Sequence, residues 1–404
     1  MAAASDKARF YLEQLVPELR EYEKKKIFSK SEISSITKKR SDFEHRINSR
    51  GPSPSDYARY AEYEMNLDTL RKKRIKRLGI KAPMHAGQRR VFFILDRATR
   101  KFHGDVSLWQ QYIEYARKQK AHKKLAQIFT NALRLHPREV DLWIYAAQHV
   151  LQDHGDITQA RGYMQRGLRF CKNSQALWLQ YAKLEMIYIA RISARQRILG
   201  LDKAEEQQQQ QPAIDESKDE PDADVMMLPR LTEEDINPTL DGDAPDKASL
   251  ETLNATPALS GAIPIAVYDA AMNQFENDPS LAYDFYHMLV EFEGCPCLQR
   301  VLSHVVDSLI TNHPADAKAQ ECYIKYPVAD LSPSSPEFPR AFYTSLSRVK
   351  EYVTEENPVL VQLAPRVIGW LQGLMETENL DPALQKVIQA TLKSANRRVE
   401  GCRT

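Results

Sequence analysis

Glycine is scarce, at 14 residues in 404. That is about half the ordinary share of roughly 7% and argues against a turn-rich all-β protein or a phosphate-cradling enzyme. No run of about 18 apolar residues occurs, so no membrane-spanning helix is expected. Met1 to Phe10 holds no apolar signal core, and the chain is therefore expected not to be secreted. The five cysteines (Cys171, Cys295, Cys297, Cys322 and Cys402) are odd in number and scattered, which fits a reducing compartment better than a disulfide framework. Catalytic signatures are missing too: there is no glycine-rich phosphate loop, HExxH or nucleophile elbow. The histidines are dispersed, and His149 and His154, five apart, are not expected to share a helical face. Cys295-Pro296-Cys297 is C-x-C without a second pair at zinc spacing. The expectation is no catalytic residue, no cofactor, no metal and no enzyme.

What is present is 43% hydrophobic residues, enough for a sizeable core, and charge that is strongly polarised along the chain. The net +2 hides +11 over residues 1–100, +9 over 101–201, −12 over 202–246 and −6 over 247–404.

An internal repeat organises the rest. Trp109, Trp143 and Trp178 lie 34 and 35 residues apart. The strings ILDRA (94–98), IFTNA (128–132) and YMQRG (163–167) repeat with them, and their small final residues, Ala98, Ala132 and Gly167, each precede a tryptophan by 11 positions. After each tryptophan Tyr112, Ala146 or Tyr181 follows at i+3, one face of a helix. In LAQIFTNALRL (125–135) the apolar residues again fall on one helical stripe, so the unit is a helical hairpin. The small residue permits close helix approach and the indole fills the groove beside it. One hairpin cannot bury its own apolar face, so neighbours are expected to stack into an all-α solenoid. The ring residues are read as core, not as platforms for bases.

Upstream, Tyr57, Tyr60 and Glu64 repeat the spacing of Trp178, Tyr181 and Glu185, with an 18-residue basic insertion expected at 71–88. Downstream, VYDAA (267–271) repeats the second-helix string, Tyr283 and Tyr286 are read as restarting the aromatic pair, and fainter helical hairpins follow from Leu298 to Val399. Residues 202–260, with Gln207–Gln211 and many Asp, Glu and Pro, are expected to be a disordered acidic insertion interrupting the fourth hairpin. The domain reading is an N-terminal helical segment (1–50), N-terminal repeats (51–201), the acidic insertion (202–260) and C-terminal repeats (261–404). In the first segment Phe10, Leu15, Leu19 and Tyr22 form a stripe, and Ser29-x-x-Glu32 reads as a capping box.

The sharpest charge signal is RKKRIKR (71–77). From Thr69 to Arg90 nine basic residues occur and no acidic one. Arg71, Lys72, Lys73, Arg74, Lys76, Arg77 and Lys81 are the candidates for nuclear localisation or RNA contact, because clustered cations release counterions from phosphates. The bland alternative is a solvated helix end.

The pattern W-x-x-Y-x-x-x-E with a small residue in the second helix resembles the half-a-tetratricopeptide (HAT) repeat, carried by Trp178-Tyr181-Glu185 and Tyr57-Tyr60-Glu64. Trp109-Tyr112 departs from it, with Ala116 at the acidic position. The strings VPELREYEKKKIFSKSEISSITKKRSDFEHRI (16–47) and DYARYAEYEMNLDTLRKKRIKRL (56–78) resemble the U3 small nucleolar RNA-associated protein 6 family. That resemblance implies a non-catalytic scaffold of the small-subunit processome. Its implied partners are WD-repeat proteins, the U3 ribonucleoprotein and precursor ribosomal RNA, with no membrane, in the nucleus and nucleolus, in processing toward 18S RNA. The alternative is a HAT scaffold in splicing or messenger-RNA 3′-end processing.

Overall fold

The structure is a computed structural model that describes residues 2–80, 85–199, 259–354, 357–376 and 381–401. All but the last two residues of the acidic insertion expected at 202–260 lie outside the described residues. Among the described residues every regular element is a helix, and none is long and apolar enough to cross a membrane. The chain divides into two compact units, Met1–Ala146 and Ala147–Thr404. Each is built of stacked helical hairpins, the all-α solenoid architecture expected from the repeat.

Unit 1 contains α1 (Ala2–Glu13), α2 (Val16–Lys24), α3 (Lys30–Asn48), α4 (Pro54–Leu78), α5 (Ala86–Lys101), α6 (Val106–Lys118) and α7 (His122–Leu135), and the division falls inside α8 (Val140–His149). The α6–α7 hairpin shows why the unit forms. The Asp105 carboxylate caps α6 by accepting from the Ser107 N–H at 3.0 Å. Leu108, Trp109, Tyr112, Ile113, Tyr115 and Ala116 then bury one face against Leu125, Ile128, Phe129, Ala132 and Leu133 of α7. The His136 N–H closes α7 on the Ala132 carbonyl at 2.8 Å.

Unit 2 continues with a π-helical turn (Val150–His154), α9 (Ile157–Phe170), α10 (Gln175–Leu199), α11 (Ala262–Gln274), α12 (Pro279–Val290) and α13 (Leu298–Asn312). There follow α14 (Ala317–Lys325), a single 3-10 turn (Tyr326–Val328), α15 (Phe338–Tyr352), α16 (Leu360–Met375) and α17 (Pro382–Gly401). α10 packs on α9, α11 and α12, so the two helices on either side of the acidic stretch form one hairpin. Phe338, Phe342, Leu346, Leu363, Val367, Leu371 and Ile388 build the core of the last helices.

A backbone marker fixes the register where side-chain markers fade. The bond that closes α7 recurs from Phe102 to Ala98 (2.8 Å), Cys171 to Gly167 (2.8 Å), Phe275 to Ala271 (3.0 Å), His313 to Leu309 (2.8 Å) and Val353 to Val349 (2.9 Å). Eleven positions beyond Ala271 and Leu309 stand Ala282 and Gln320. The aromatic restart expected at Tyr283 and Tyr286 is therefore corrected by one residue: the equivalents of Trp109 and Tyr112 are Ala282 and Phe285, both buried. An alanine in the indole position hid the register.

α3 also falls into this scheme. It packs on α4 as α9 packs on α10, and in both pairs a buried glutamate of the longer helix meets an arginine 24 residues upstream. Phe10 departs from the expected stripe and is 56% exposed. The chain breaks into α1 and α2 ahead of Pro17, and the buried face passes to Leu15, Leu19 and Tyr22.

Candidate functional site

The basic run does not form a loop. α4 carries it as helix to Leu78, 25 residues against 13 in α6, and Gly79 ends it in the left-handed region at φ 64°. Its side chains divide between interior and surface. Arg71 is 2% exposed; its Nε and Nη2 donate to Asp68 Oδ1 at 3.0 and 2.7 Å. Lys72 Nζ lies 2.8 Å from the other Asp68 oxygen. Gly87 of α5 rests on that carboxylate, and a Cβ there would come within 2.1 Å of Asp68 Oδ1, so only glycine lets α5 approach.

Arg74 donates to both carboxylate oxygens of Glu32 at 2.8 and 2.7 Å and to the Ile27 carbonyl at 3.1 Å. Its guanidinium carbon stands 4.8 Å from the Phe28 ring centroid. Ile75 joins Leu15, Leu19, Tyr22, Ile27, Phe28 and Ile36 in one apolar cluster. Half the run thus docks the N-terminal helices onto α4. Arg71 is withdrawn from RNA contact by burial, and Lys72 and Arg74 are half-buried in ion pairs. Lys73, Lys76 and Arg77 remain exposed, and Lys81 lies outside the described residues.

The Arg74 bonds and the Ser29 backbone N–H hold the Glu32 carboxyl well below its usual range, down to about 2. A carboxylate with a depressed folded pKa stabilises the fold above its unfolded value and loses that contribution as pH falls through the folded one. Docking of the N-terminal helices is therefore expected to weaken between about pH 4.5 and pH 2. An acid titration of the helical signal checks this: Arg74→Ala flattens that part of the curve, and an unchanged curve would contradict the assignment.

The residues expected in the repeat core are placed as follows. Tyr57, Tyr60, Tyr112, Tyr181, Ala98, Ala132 and Gly167 are buried. Trp109 and Trp143 are 5% and 4% exposed, whereas Trp178 is half-buried. All three indole N–H groups donate to the carbonyl six residues upstream: His103 at 3.1 Å, Pro137 at 2.9 Å and Lys172 at 3.2 Å. Gln320 does the same through its amide, to the Pro314 carbonyl at 2.9 Å. Each ring, or its replacement, pins the turn that enters its own helix. Burial raises the phenols of Tyr57, Tyr60, Tyr112 and Tyr181, so none is poised for acid-base work near neutral pH.

Three features were missed by side-chain spacing alone. Glu64, read only as a repeat marker, is buried and accepts from Arg40 Nε and Nη2 at 2.7 and 2.8 Å. Glu185 accepts from Arg161 in the same two-pronged manner, at 2.7 Å for each bond. The signal was available, since each arginine stands 24 residues ahead of its glutamate. His149 and His154, expected on different faces, have ring centroids 5.4 Å apart. The π-helical turn from Val150 to His154 brings i and i+5 together, which corrects that expectation.

Carboxylates near a groove of unit 1, about 870 Å³ and lined by Tyr11, Glu18, Glu44, Tyr60 and Arg90, are matched by cations. Arg90 stands 3.8 Å from Glu18 and Arg97 3.0 Å from Glu44. These are structural ion pairs, not paired acids in reacting geometry. Cys295 and Cys297 lie Sγ to Sγ at 3.9 Å, both buried.

Residues 12–96 match the family described as U3 small nucleolar RNA-associated protein 6, and residues 89–199 match the one described as PRP39 N-terminal HAT repeat. U3 small nucleolar RNA-associated protein 6 of Schizosaccharomyces pombe is 40% identical over 199 residues, 48% of this chain and 41% of that protein. The Homo sapiens homolog is 31% identical over 185 residues, 45% of this chain and 31% of its own length. The Dictyostelium discoideum homolog is 31% identical over 187 residues, 46% and 31% of the two lengths. The chain spans less than half the length of each of these relatives.

Proposed function

We propose that this chain, whose residues 12–96 match the U3 small nucleolar RNA-associated protein 6 family, is a non-catalytic scaffold subunit in U3-dependent processing of precursor ribosomal RNA toward 18S RNA. It works in the nucleolus, within the small-subunit processome. Its hairpins present extended helical faces to neighbouring proteins, WD-repeat subunits among them, and hold them near the U3 ribonucleoprotein. The observation that supports this most directly is the build of the matched block. Residues 12–96 run through α2 to α5; Arg74 with Glu32 and Arg40 with Glu64 lock α3 to α4, and Arg90 of α5 stands 3.8 Å from Glu18 of α2. The block is one packed body, suited to fixing the relative positions of partners.

Purification of the tagged chain from cells, with sequencing of the RNA that accompanies it, tests the reading. U3 and precursor ribosomal RNA are the expected yield. A second reading, a HAT scaffold in splicing or 3′-end processing, is favoured only by the match of residues 89–199. Recovery of spliceosomal RNAs without U3 would establish it and overturn the first.

A further inference from the structure

Unit 1 holds a second basic run, Arg117-Lys118-Gln119-Lys120-Ala121-His122-Lys123-Lys124, inside a stretch from Tyr115 to Arg138 without a carboxylate. It forms the turn between α6 and α7. The fold sets this turn beside the start of α5, which packs on α4 at Asp68. Gly87 brings the start of α5 onto Asp68, and the neighbouring Gln88 amide donates to the Gln119 side-chain carbonyl. Beyond Asp68 α4 runs on for about 15 Å at 1.5 Å per residue, with Lys73, Lys76 and Arg77 exposed at i, i+3 and i+4, one face of the helix. The turn exposes Lys118, Lys120, His122 and Lys123. Glu114 meets Lys118 at 2.9 Å. No carboxylate among the described residues pairs with Lys73, Lys76, Arg77, Lys120 or Lys123.

Lys120 stands in the turn between α6 and α7. Its φ is 52°, in the left-handed region where glycine is at ease. The Lys120 N–H bonds the Arg117 carbonyl at 2.9 Å and the Ala121 N–H bonds the Ala116 carbonyl at 3.1 Å, the helix-ending loop that favours glycine at this place. The same φ recurs at Lys26 and Glu276, so this is a turn the fold uses repeatedly, and at this copy it carries an exposed lysine.

We propose that this edge of unit 1 binds the phosphate backbone of RNA without reading its bases. Flexible lysines supply point charges for phosphates. Base stacking would need exposed rings, and Tyr112 and Tyr115 of this hairpin are buried. A protein partner is disfavoured because interface cores are depleted of lysine and anchored by aromatic residues, whereas Leu78 is the exposed large apolar residue at the end of α4. The RNA-binding role moves from Arg71 and Arg74, which hold the N-terminal helices, to Lys73, Lys76, Arg77, Lys120 and Lys123. It rests on the functional reading above only for which RNA is bound.

The test is fluorescence anisotropy of the full chain with a labelled mixed-sequence single-stranded RNA across a salt series. Two variants reverse charge on either side, Lys73→Glu/Lys76→Glu/Arg77→Glu and Lys120→Glu/Lys123→Glu. Each is expected to weaken binding about tenfold or more at 0.1 M salt and to flatten the slope of log affinity against log salt by about 0.7 for each phosphate left without its cation. Lys120→Gly is expected to raise the melting temperature while weakening RNA binding, a pair of opposite shifts that a merely structural lysine would not give. Unchanged affinity and slope in both reversed variants would overturn the proposal. So would polyglutamate binding as tightly as RNA and being released by the same variants, since the edge would then serve an acidic protein segment. Failure here leaves the recovery of U3 from cells untouched, and absence of U3 there leaves this binding curve untouched, so the two readings fail separately.

Discussion

Trp143→Ala is expected to remove about 3–5 kcal/mol of folding stability, the usual cost of truncating a large core aromatic. The indole is almost fully enclosed, and its N–H holds the Pro137 carbonyl at 2.9 Å. The variant therefore opens a cavity and removes that hydrogen bond. Trp178 occupies the same register and makes the corresponding bond, at 3.2 Å to the Lys172 carbonyl, yet it is half-buried. Trp178→Ala is expected to cost about half as much, because less apolar surface returns to water. Urea denaturation of variants of this chain measures both. Equal losses would contradict the burial difference, and a loss below about 1 kcal/mol at Trp143 would contradict its role in the core.

Glu64→Ala is expected to cost about 3–5 kcal/mol, for a different reason. Arg40 is 2% exposed and gives two bonds to Glu64, so removing the carboxylate strands a buried guanidinium. The double replacement Arg40→Met/Glu64→Leu is expected to recover most of that loss. The chain itself shows that the interface accepts apolar pairs. The positions equivalent to Arg40 and Glu64 are Phe92 and Ala116 in the α5–α6 pair, and Ile265 and Leu289 in the α11–α12 pair. There Phe92 stands 5.1 Å, centroid to centroid, from Tyr115. Arginine and glutamate occur together or are both absent because either alone would be a buried unpaired charge.

Much of the architecture was legible because the repeat pairs the largest side chain with the smallest. Trp109, Trp143 and Trp178 stand out in any sequence, and Ala98, Ala132 and Gly167 ahead of them give a second marker at the same period. The register was lost where that contrast disappears. Ala282 replaces the ring outright, and Gln320 keeps only its polar bond to a turn carbonyl. The backbone closing bond persists through both, but it leaves no trace in residue type. The N-terminal helices were legible as helices through Ser29 and Glu32, which do form the reciprocal capping box. Their attachment was not, because it runs through Arg74 and Glu32, 42 residues apart and on different helices. For the same reason a seven-residue basic string looked uniform in sequence. Only packing shows that Arg71 and Arg74 face inward while Lys73, Lys76 and Arg77 face solvent.

The central claim is that one module, recurring from α3 onward, builds this chain, with the N-terminal helices inside the array. Double-mutant cycles on Arg40/Glu64 and on Arg161/Glu185 test it most directly, because the two pairs share their spacing and their bonding but sit in units 1 and 2 respectively. The expected result is a stabilising coupling at both pairs, equal within about 1 kcal/mol. A strong coupling at Arg161/Glu185 with none at Arg40/Glu64 would place α3 outside the repeat and contradict the account.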